Sequence, residues 1–323
     1  MIYIDMGMGR LGNQFCRYAY SRLLHKYNPG EDIVYSFDML DSAHETEGDG
    51  MENSLRHFNT IGTERNGAIK RSWLQKFVWK RFMRKYPDGM DFCLKDCYER
   101  RWLSVMKALG MYKLNLGECP FPKKKPWWIG NLIVDCCCES PDYFQEIKEE
   151  LSEAFTPVHP LQEHNRELMD VIQRTNSVFV GVRRGDFVDD QEISNVYNVC
   201  SKDYYLRAIA QMRERVENPT FVFFSNDIEW VRDNIRTDAE CYYESGKDEV
   251  WETFRLMRAC KHFIISNSTL HWWAQYLGED KGKVVMAPSR WYRSDFQSAL
   301  YLPGWTLVDA GNPCALQDAC CVE

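Results

Sequence analysis

At 323 residues the chain is long for one domain and comfortable for two. With 45% hydrophobic and 27% charged residues it is not a disordered chain, and a net charge of −7 gives no overall reason to expect a nucleic-acid partner. MIYIDMGMGRLGNQ has no basic stretch followed by an apolar one, and no window approaches the roughly 18 uninterrupted apolar residues of a membrane span. The expected compartment is therefore the cytoplasm.

The thirteen cysteines are scattered and odd in number. They include the runs Cys136, Cys137, Cys138 and Cys320, Cys321, a poor disulfide framework, and read as reduced thiols. Zinc would need paired Cys or His spacings; Cys93, Cys97 and Cys119 come nearest, with no histidine close by.

In chain order, Ile2 to Met6 reads as a strand, Gly7, Gly9 and Gly12 as a glycine-bearing turn, and Asn13 to Tyr27 as a helix with Asn13 suited to its cap. The glycines match the bare form G-x-G-x-x-G, and Asp38 follows a second strand, Ile33 to Phe37, so a dinucleotide dehydrogenase is open at this point. Asp41 to Gly67 is polar and turn-rich and is expected to be loop. Lys70 to Lys85, KRSWLQKFVWKRFMRK, holds seven basic residues and no acidic ones, leaving about −14 on the rest once seven is subtracted from −7. Trp73, Phe77, Val78, Phe82 and Met83 interleave with those charges at helical spacing, while Trp79 falls among the basic residues. Such a helix suits an anionic membrane surface, or a core-packed position with a solvated basic face. Lys123, Lys124 and Lys125 form a smaller cluster before Trp127 and Trp128.

Ile129 to Val134 is another apolar run, Pro141 to Phe155 an expected helix, and Thr156 to Pro160, with two prolines, an expected linker. The boundary placed there divides the chain into domains of 1–160 and 161–323. Beyond it, apolar runs at Val178–Val182, Phe221–Phe224, Phe263–Ile265 and Val284–Met286 alternate with helical patterns at about Lys202–Val216, Asp227–Ile235, Asp248–Cys260 and Thr269–Leu277. That alternation predicts a doubly wound parallel sheet of the α/β class.

Three of these strands end in small polar or charged residues. VFVGVRRGDFV places Arg183, Arg184 and Asp186 where its strand stops, FVFFSNDIEW places Ser225, Asn226 and Asp227, and FIISNSTLHWW places Asn267, Ser268 and Thr269. Helix capping explains any one of them, and Arg183 or Arg184 paired with Asp186, Asp189 or Asp190 would make a salt-bridged strand end. Together, at the edge where open α/β sheets bind ligands, they predict a nucleotide site. The sequence has no D-x-D triplet and no G-x-x-x-x-G-K-[ST] loop. No metal cofactor is therefore expected, and the charge of a departing diphosphate falls to Arg183 and Arg184.

Five ordered blocks, GRLGNQFCRYAYSRLL, VGVRRGDF, FVFFSNDIEWV, LMRACKHFIISNSTLHWWAQYLG and VVMAPSRWY, reach from residue 9 to about 292. They resemble the inverting α-1,2-fucosyltransferases that use GDP-fucose, many of them bacterial enzymes of surface-polysaccharide assembly, and this displaces the dehydrogenase. The resemblance implies two Rossmann-like domains in a GT-B architecture, with the nucleotide sugar in the cleft, the acceptor on the N-terminal side and the nucleotide on the C-terminal side. It implies fucose transfer with inversion to a hydroxyl, the 2-OH of a galactoside, in an oligosaccharide, polysaccharide or lipid-linked precursor. Arg183 and Arg184 would then hold the diphosphate, with Asp186 as the carboxylate nearest the chemistry. Gly12, Asn13 and Gln14 of the N-terminal signature, Ser225, Asn226, Asp227, Asn267, Ser268 and Thr269 would bind substrate. The chain departs from the pattern at Gly181, where the family has histidine, at His271, where it usually has serine, and at Cys136–Glu139, where an aromatic-Gln stretch often precedes the Tyr-Phe pair. A different nucleotide sugar, or a glycan-binding homologue with altered catalysis, is the alternative.

Overall fold

Two parallel sheets organise the protein, whose computed structural model describes residues 1–7, 9–47, 52–63, 65–89, 91–115, 119–126, 128–294 and 296–311. Trp127, Cys320 and Cys321, named above, lie outside the described residues. Contacts divide the chain into two compact units, Met1–Val158 and His159–Glu323.

The first unit runs β1 (Ile2–Asp5), α1 (Leu11–Tyr27), β2 (Ile33–Ser36), α2 (Asp38–Glu47), α3 (Trp73–Met83), α4 (Phe92–Ala108), β3 (Met111–Leu114), β4 (Leu132–Cys136) and α5 (Lys148–Ala154). Its sheet has the order β2-β1-β4-β3, with Ile2 opposite both Ile33 and Leu132, and Lys113 opposite Asp135. Tyr3 and Ile133 of this sheet pack with Phe82 of α3, Met106 of α4 and Met111.

Several elements differ from expectation. Helix α1 starts two residues early, and its N-cap is Arg10, whose carbonyl accepts the Asn13 and Gln14 N–H groups at 3.0 and 3.2 Å. Asn13 therefore sits inside the first turn and does not cap it. The stretch expected to be loop contains the end of α2 and a 3-10 turn, Ser54–His57. α2 has no apolar periodicity to betray it, but Asp38 and Asp41 in its first turn suit the positive end of the helix dipole. Pro141–Phe155 breaks into two 3-10 turns before α5. In the basic segment, a capping box between Ser72 and Gln75 starts α3, and the Gln75 amide donates to the Leu109 and Asn131 carbonyls. Phe82 is fully buried, and Trp79, expected among the charges, packs near it under Arg71.

The second unit contains α6 (Arg166–Arg174), β5 (Asn176–Val182), α7 (Asp186–Asp189), α8 (Gln191–Tyr197), α9 (Lys202–Arg215), β6 (Pro219–Ser225), α10 (Ile228–Asn234), β7 (Cys241–Tyr243), α11 (Val250–Ala259), β8 (His262–Ile264), α12 (Thr269–Leu277), β9 (Val285–Pro288) and β10 (Thr306–Val308). The sheet order is β10-β9-β8-β5-β6-β7, all parallel. β5 and β6 lie inside it, paired from Asn176–Pro219 to Val182–Ser225, so the two strand ends are level. Both are apolar on both faces because helices cover both faces of such a sheet. Val178, Val180, Phe221 and Phe223 are completely buried against Tyr204, Ala208 and Met212 of α9.

Candidate active site

Just past the level ends of β5 and β6, a short turn carries both arginines. Gly185 makes that turn possible in two ways: its φ of +53° is left-handed, and a Cβ there would lie 2.2 Å from the Asn226 amide nitrogen. From the β6 side, Asn226 Oδ1 accepts the Arg184 backbone N–H at 2.9 Å, tying the two turns together.

Each guanidinium is held by one carboxylate and one ring. Arg183 donates to Asp186 Oδ1 at 2.5 Å and lies 5.2 Å from the centre of the Phe187 ring. Arg184 donates through Nε to Asp227 Oδ2 at 3.0 Å and stacks over Trp230 at 3.8 Å. Both side chains are only 22% exposed. The bond from Arg184 uses Nε, so its two terminal nitrogens have no hydrogen-bond partner among the described residues. They form the planar fork that suits a phosphate. The salt-bridged strand end thus still presents an open guanidinium fork.

Asp227 does further work. Its Oδ1 accepts the Trp230 N–H, capping α10, and its own N–H bonds to Ser225 Oγ at 3.0 Å. Phe187 stacks on Tyr197, which contacts Tyr292 at 5.6 Å. These rings and Trp230 were not singled out from sequence. The Trp230 position is read only after Asp227 is known to cap α10, because its partner is 46 residues upstream.

The third strand end lies on β8, next to β5. Asn267 is nearly buried, and its amide donates to the Tyr197 and Trp291 carbonyls at 2.9 and 2.8 Å. It fastens α8 and the β9 exit to the sheet. Ser268 and Thr269 are half-buried at the start of α12, and the Ser268 side chain does not cap the helix.

The two departures in this unit meet in space. A Cβ on Gly181 would lie 2.5 Å from Cε1 and Nδ1 of His271, and 2.5 Å from the Phe179 ring. The His271 ring thus occupies the room beside β5 that a side chain at 181 would need. Its Nδ1 is 2.9 Å from Ser266 Oγ and its ring meets Phe179 edge-on at 5.1 Å. Burial pushes its pKa down to about 3, so it is a neutral packing and hydrogen-bonding group at working pH.

In the first unit, Gly12 is buried within α1, and Gly9 makes room for Asn13, whose Cβ and Nδ2 would each lie 2.9 Å from a Cβ at position 9. Gln14 is fully buried: its amide donates to the Gly9 and Glu52 carbonyls and its Oε1 accepts the Ser54 N–H. The Gln14 side chain braces the 52–54 loop. Cys119 lies 2.7 Å, sulfur to sulfur, from Cys136, while Cys93 and Cys97 are on α4. Among the described residues no group of three or more His, Cys, Asp or Glu is placed to hold a metal ion, and the ten described cysteines are free.

The sequence profile described as glycosyl transferase family 11 matches residues 133–309. A 160-residue stretch is 37% identical to an alpha-1,2-colitosyltransferase of Escherichia coli, covering 47% of this chain and 53% of the relative. Over 182 residues the chain is 29% identical to human galactoside alpha-(1,2)-fucosyltransferase 1, covering 52% of this chain and 50% of the relative. The chain thus spans about half the length of these curated relatives. In fold it is similar to NodZ alpha-1,6-fucosyltransferase co-crystallized with GDP, with a TM-score of 0.51, 12% identity, and coverage of 86% of this chain and 92% of that one. The architecture is GT-B, with a Rossmann-like sheet in each unit.

Proposed function

Because the chain belongs to glycosyl transferase family 11, we propose that it transfers fucose from GDP-fucose, with inversion, to a galactoside hydroxyl of an oligosaccharide or polysaccharide precursor. The observation that carries this reading is the Arg184 guanidinium, fixed by Asp227, Trp230 and its own backbone bond to Asn226, with a terminal fork left open. In this reading the second unit holds the nucleotide sugar and the first the acceptor. Arg183 and Arg184 take the diphosphate, Asp186 sets Arg183, and Ser225, Asn226 and Asp227 shape the turn that presents them. Ser268, Thr269 and the start of α12 line the phosphate side, with Asn267 holding that end in place. Gly12, Asn13 and Gln14 shape the first unit's signature loop, with Asn13 its substrate contact. No metal is required, since guanidinium and helix-start N–H groups meet the developing charge.

Incubating the protein with GDP-fucose, GDP-mannose and UDP-sugars against an array of galactosides, read by mass, is expected to give a single deoxyhexose addition from GDP-fucose only. NMR of the product should show an α-1,2 linkage. Turnover confined to another nucleotide sugar, or GDP-fucose binding without turnover, would overturn the proposal. The 37% identical stretch favours one second reading, transfer of colitose, which the same array separates by the mass added once GDP-colitose is included among the donors.

The acceptor in this reading is membrane-borne, and α3 is the proposed contact. Among the described residues no helix is long and apolar enough to cross a membrane. On α3, however, Trp73 is 79% and Phe77 56% exposed, and Leu74 and Met83 are exposed with them. They stand among the exposed charges of Lys70, Lys76, Lys80, Arg81, Arg84 and Lys85. Apolar anchors ringed by cations fit an anionic lipid surface. Sedimentation with vesicles containing phosphatidylglycerol is expected to capture the protein at low salt, and neutralising Lys76, Lys80, Arg81 and Arg84 together to abolish it. A wild-type protein that ignores such vesicles would remove the membrane from the proposal.

A further inference from the structure

The connection from β3 to β4 is clamped onto the first unit near its start. Tyr20 of α1 donates to the Pro120 carbonyl at 3.0 Å, Tyr143 donates to the Cys119 carbonyl, and the rings of Tyr20, Phe121 and Tyr143 meet one another at 5.2 to 6.0 Å. The clamp presses the Cys119 side chain, completely buried, against the last residue of β4. Its thiol donates to Cys136 Sγ at 2.7 Å and lies 3.7 Å from the Tyr20 hydroxyl. Cys136 is buried as well, and its carbonyl accepts Arg17 Nε at 3.1 Å and the Cys138 thiol at 3.4 Å.

A buried cysteine ordinarily acts as a small apolar group with no particular neighbour, and this pair differs in how its two halves are held. Cys119 is placed through its own carbonyl and the ring cluster, whereas Cys136 is placed by the sheet, opposite Leu114, and by Arg17. The two backbones are thus fixed independently, with their sulfurs 2.7 Å apart against about 2.05 Å for a covalent S–S bond. Closing that gap is a matter of side-chain rotation. Cys138 also reaches the Cys119 thiol and is the competing partner, but its own thiol is committed to the Cys136 carbonyl.

We infer that Cys119 and Cys136 are a reversible redox pair, converted to a disulfide by a low-molecular-weight disulfide such as oxidised glutathione. The Cys119 thiolate attacks one sulfur of the oxidant, forming a mixed disulfide and releasing one glutathione thiolate. The Cys136 thiolate then attacks the Cys119 sulfur and releases the second. The protein gives up two electrons and its two thiol protons, which the two glutathiones carry away as thiols. Burial pushes both protein thiols well above their usual range, so the reactive thiolate forms only when the connection opens. Formation is therefore slow, and the finished bond is shielded from reductant in the same way. The bond ties the root of the connection covalently to the sheet, and with it the segment that presents Lys123, Lys124 and Trp128 at the surface.

The test incubates the whole reduced protein with oxidised glutathione, samples it over minutes to hours, labels the remaining thiols with N-ethylmaleimide under denaturing conditions and reads the mass. Two of the thirteen cysteines are expected to escape the label without carrying glutathione, and peptide fragmentation to place the bond between Cys119 and Cys136. The oxidised protein should melt several degrees above the reduced one, because the bond closes a ring in the unfolded chain. Dithiothreitol should restore the reduced mass slowly in the folded protein and quickly in urea. Cys119→Ser and Cys136→Ser should each abolish the bond and the melting shift, while Cys138→Ser keeps both. Full labelling after prolonged exposure, glutathione left on Cys119, a wild-type bond to Cys137 or Cys138, or an oxidised protein that melts no higher than the reduced one would overturn the inference. These readouts follow covalent state and stability rather than turnover, so they stand whatever sugar the protein transfers.

Discussion

Replacing Arg183 or Arg184 with alanine is expected to lower kcat for fucose transfer by about 10² to 10³, roughly 3 to 4 kcal/mol of transition-state stabilisation. Charge appears on the phosphate oxygen only as the bond to the sugar breaks, so the loss should fall on kcat more than on the KM for GDP-fucose. The geometry makes the two losses differ in origin. Arg183→Ala removes a cation and leaves Asp186 without it, a carboxylate that would repel the diphosphate. Arg184→Ala removes the open fork and unloads Trp230, while Asp227 keeps its capping bond to Trp230 N–H. Arg184→Lys should recover little, since an ammonium keeps the charge but has neither the plane that stacks on indole nor the paired donors. Steady-state rates with GDP-fucose and a galactoside, with GDP affinity measured separately, check both. Wild-type rates in the two alanine variants would remove the arginines from the mechanism.

Gly181→His, introduced alone, is expected to destabilise the protein by about 3 kcal/mol or to prevent folding, as overpacking a close-packed core does. A side chain there would meet His271 and Phe179 within β5 itself. Combined with His271→Ser, the same change should regain part of the lost stability, the Phe179 contact remaining, giving a coupling of about 1 to 3 kcal/mol between the two sites. Urea unfolding of the four proteins measures that coupling, and additive effects would show that the two positions are independent. A second sign is available from pH. The buried imidazole resists its proton in the folded state, with a pKa near 3 against an ordinary value of 6.5. Its contribution is therefore complete above about pH 6.5 and is lost progressively as the pH falls toward 3. His271→Ser should blunt that loss.

The second unit was far more legible in the sequence than the first. Val178–Val182, Phe221–Phe224 and their neighbours are continuous apolar runs because their strands are covered on both faces, and α12 spans Thr269–Leu277 as its pattern predicts. The short strands escaped notice: Cys241–Tyr243 and Thr306–Val308 lie at the sheet edges, where three residues carry no alternation to read. In the first unit, α2 and α4 are amphipathic only weakly or are dominated by charge. At the site, the chemistry of Arg183, Arg184 and Asp227 could be read from residue type and position at strand ends. Their pairing could not, because Arg184 meets Asp227 and Trp230 across 43 and 46 residues, a contact that exists only once β5 and β6 lie side by side. Asn267 is the converse case. Its residue type suits a phosphate ligand, yet the fold spends its amide on two backbone carbonyls.

The close fit of Gly181 to His271 also orders the changes by which such a chain can diverge. With 2.5 Å between a Cβ at 181 and the imidazole, large side chains at both positions compete for one space. A lineage that moves a histidine from the strand to the helix, or back, must therefore first pass through a sequence with small residues at both. That intermediate bears a void beside β5, so the route is open only to an ancestor with stability to spare.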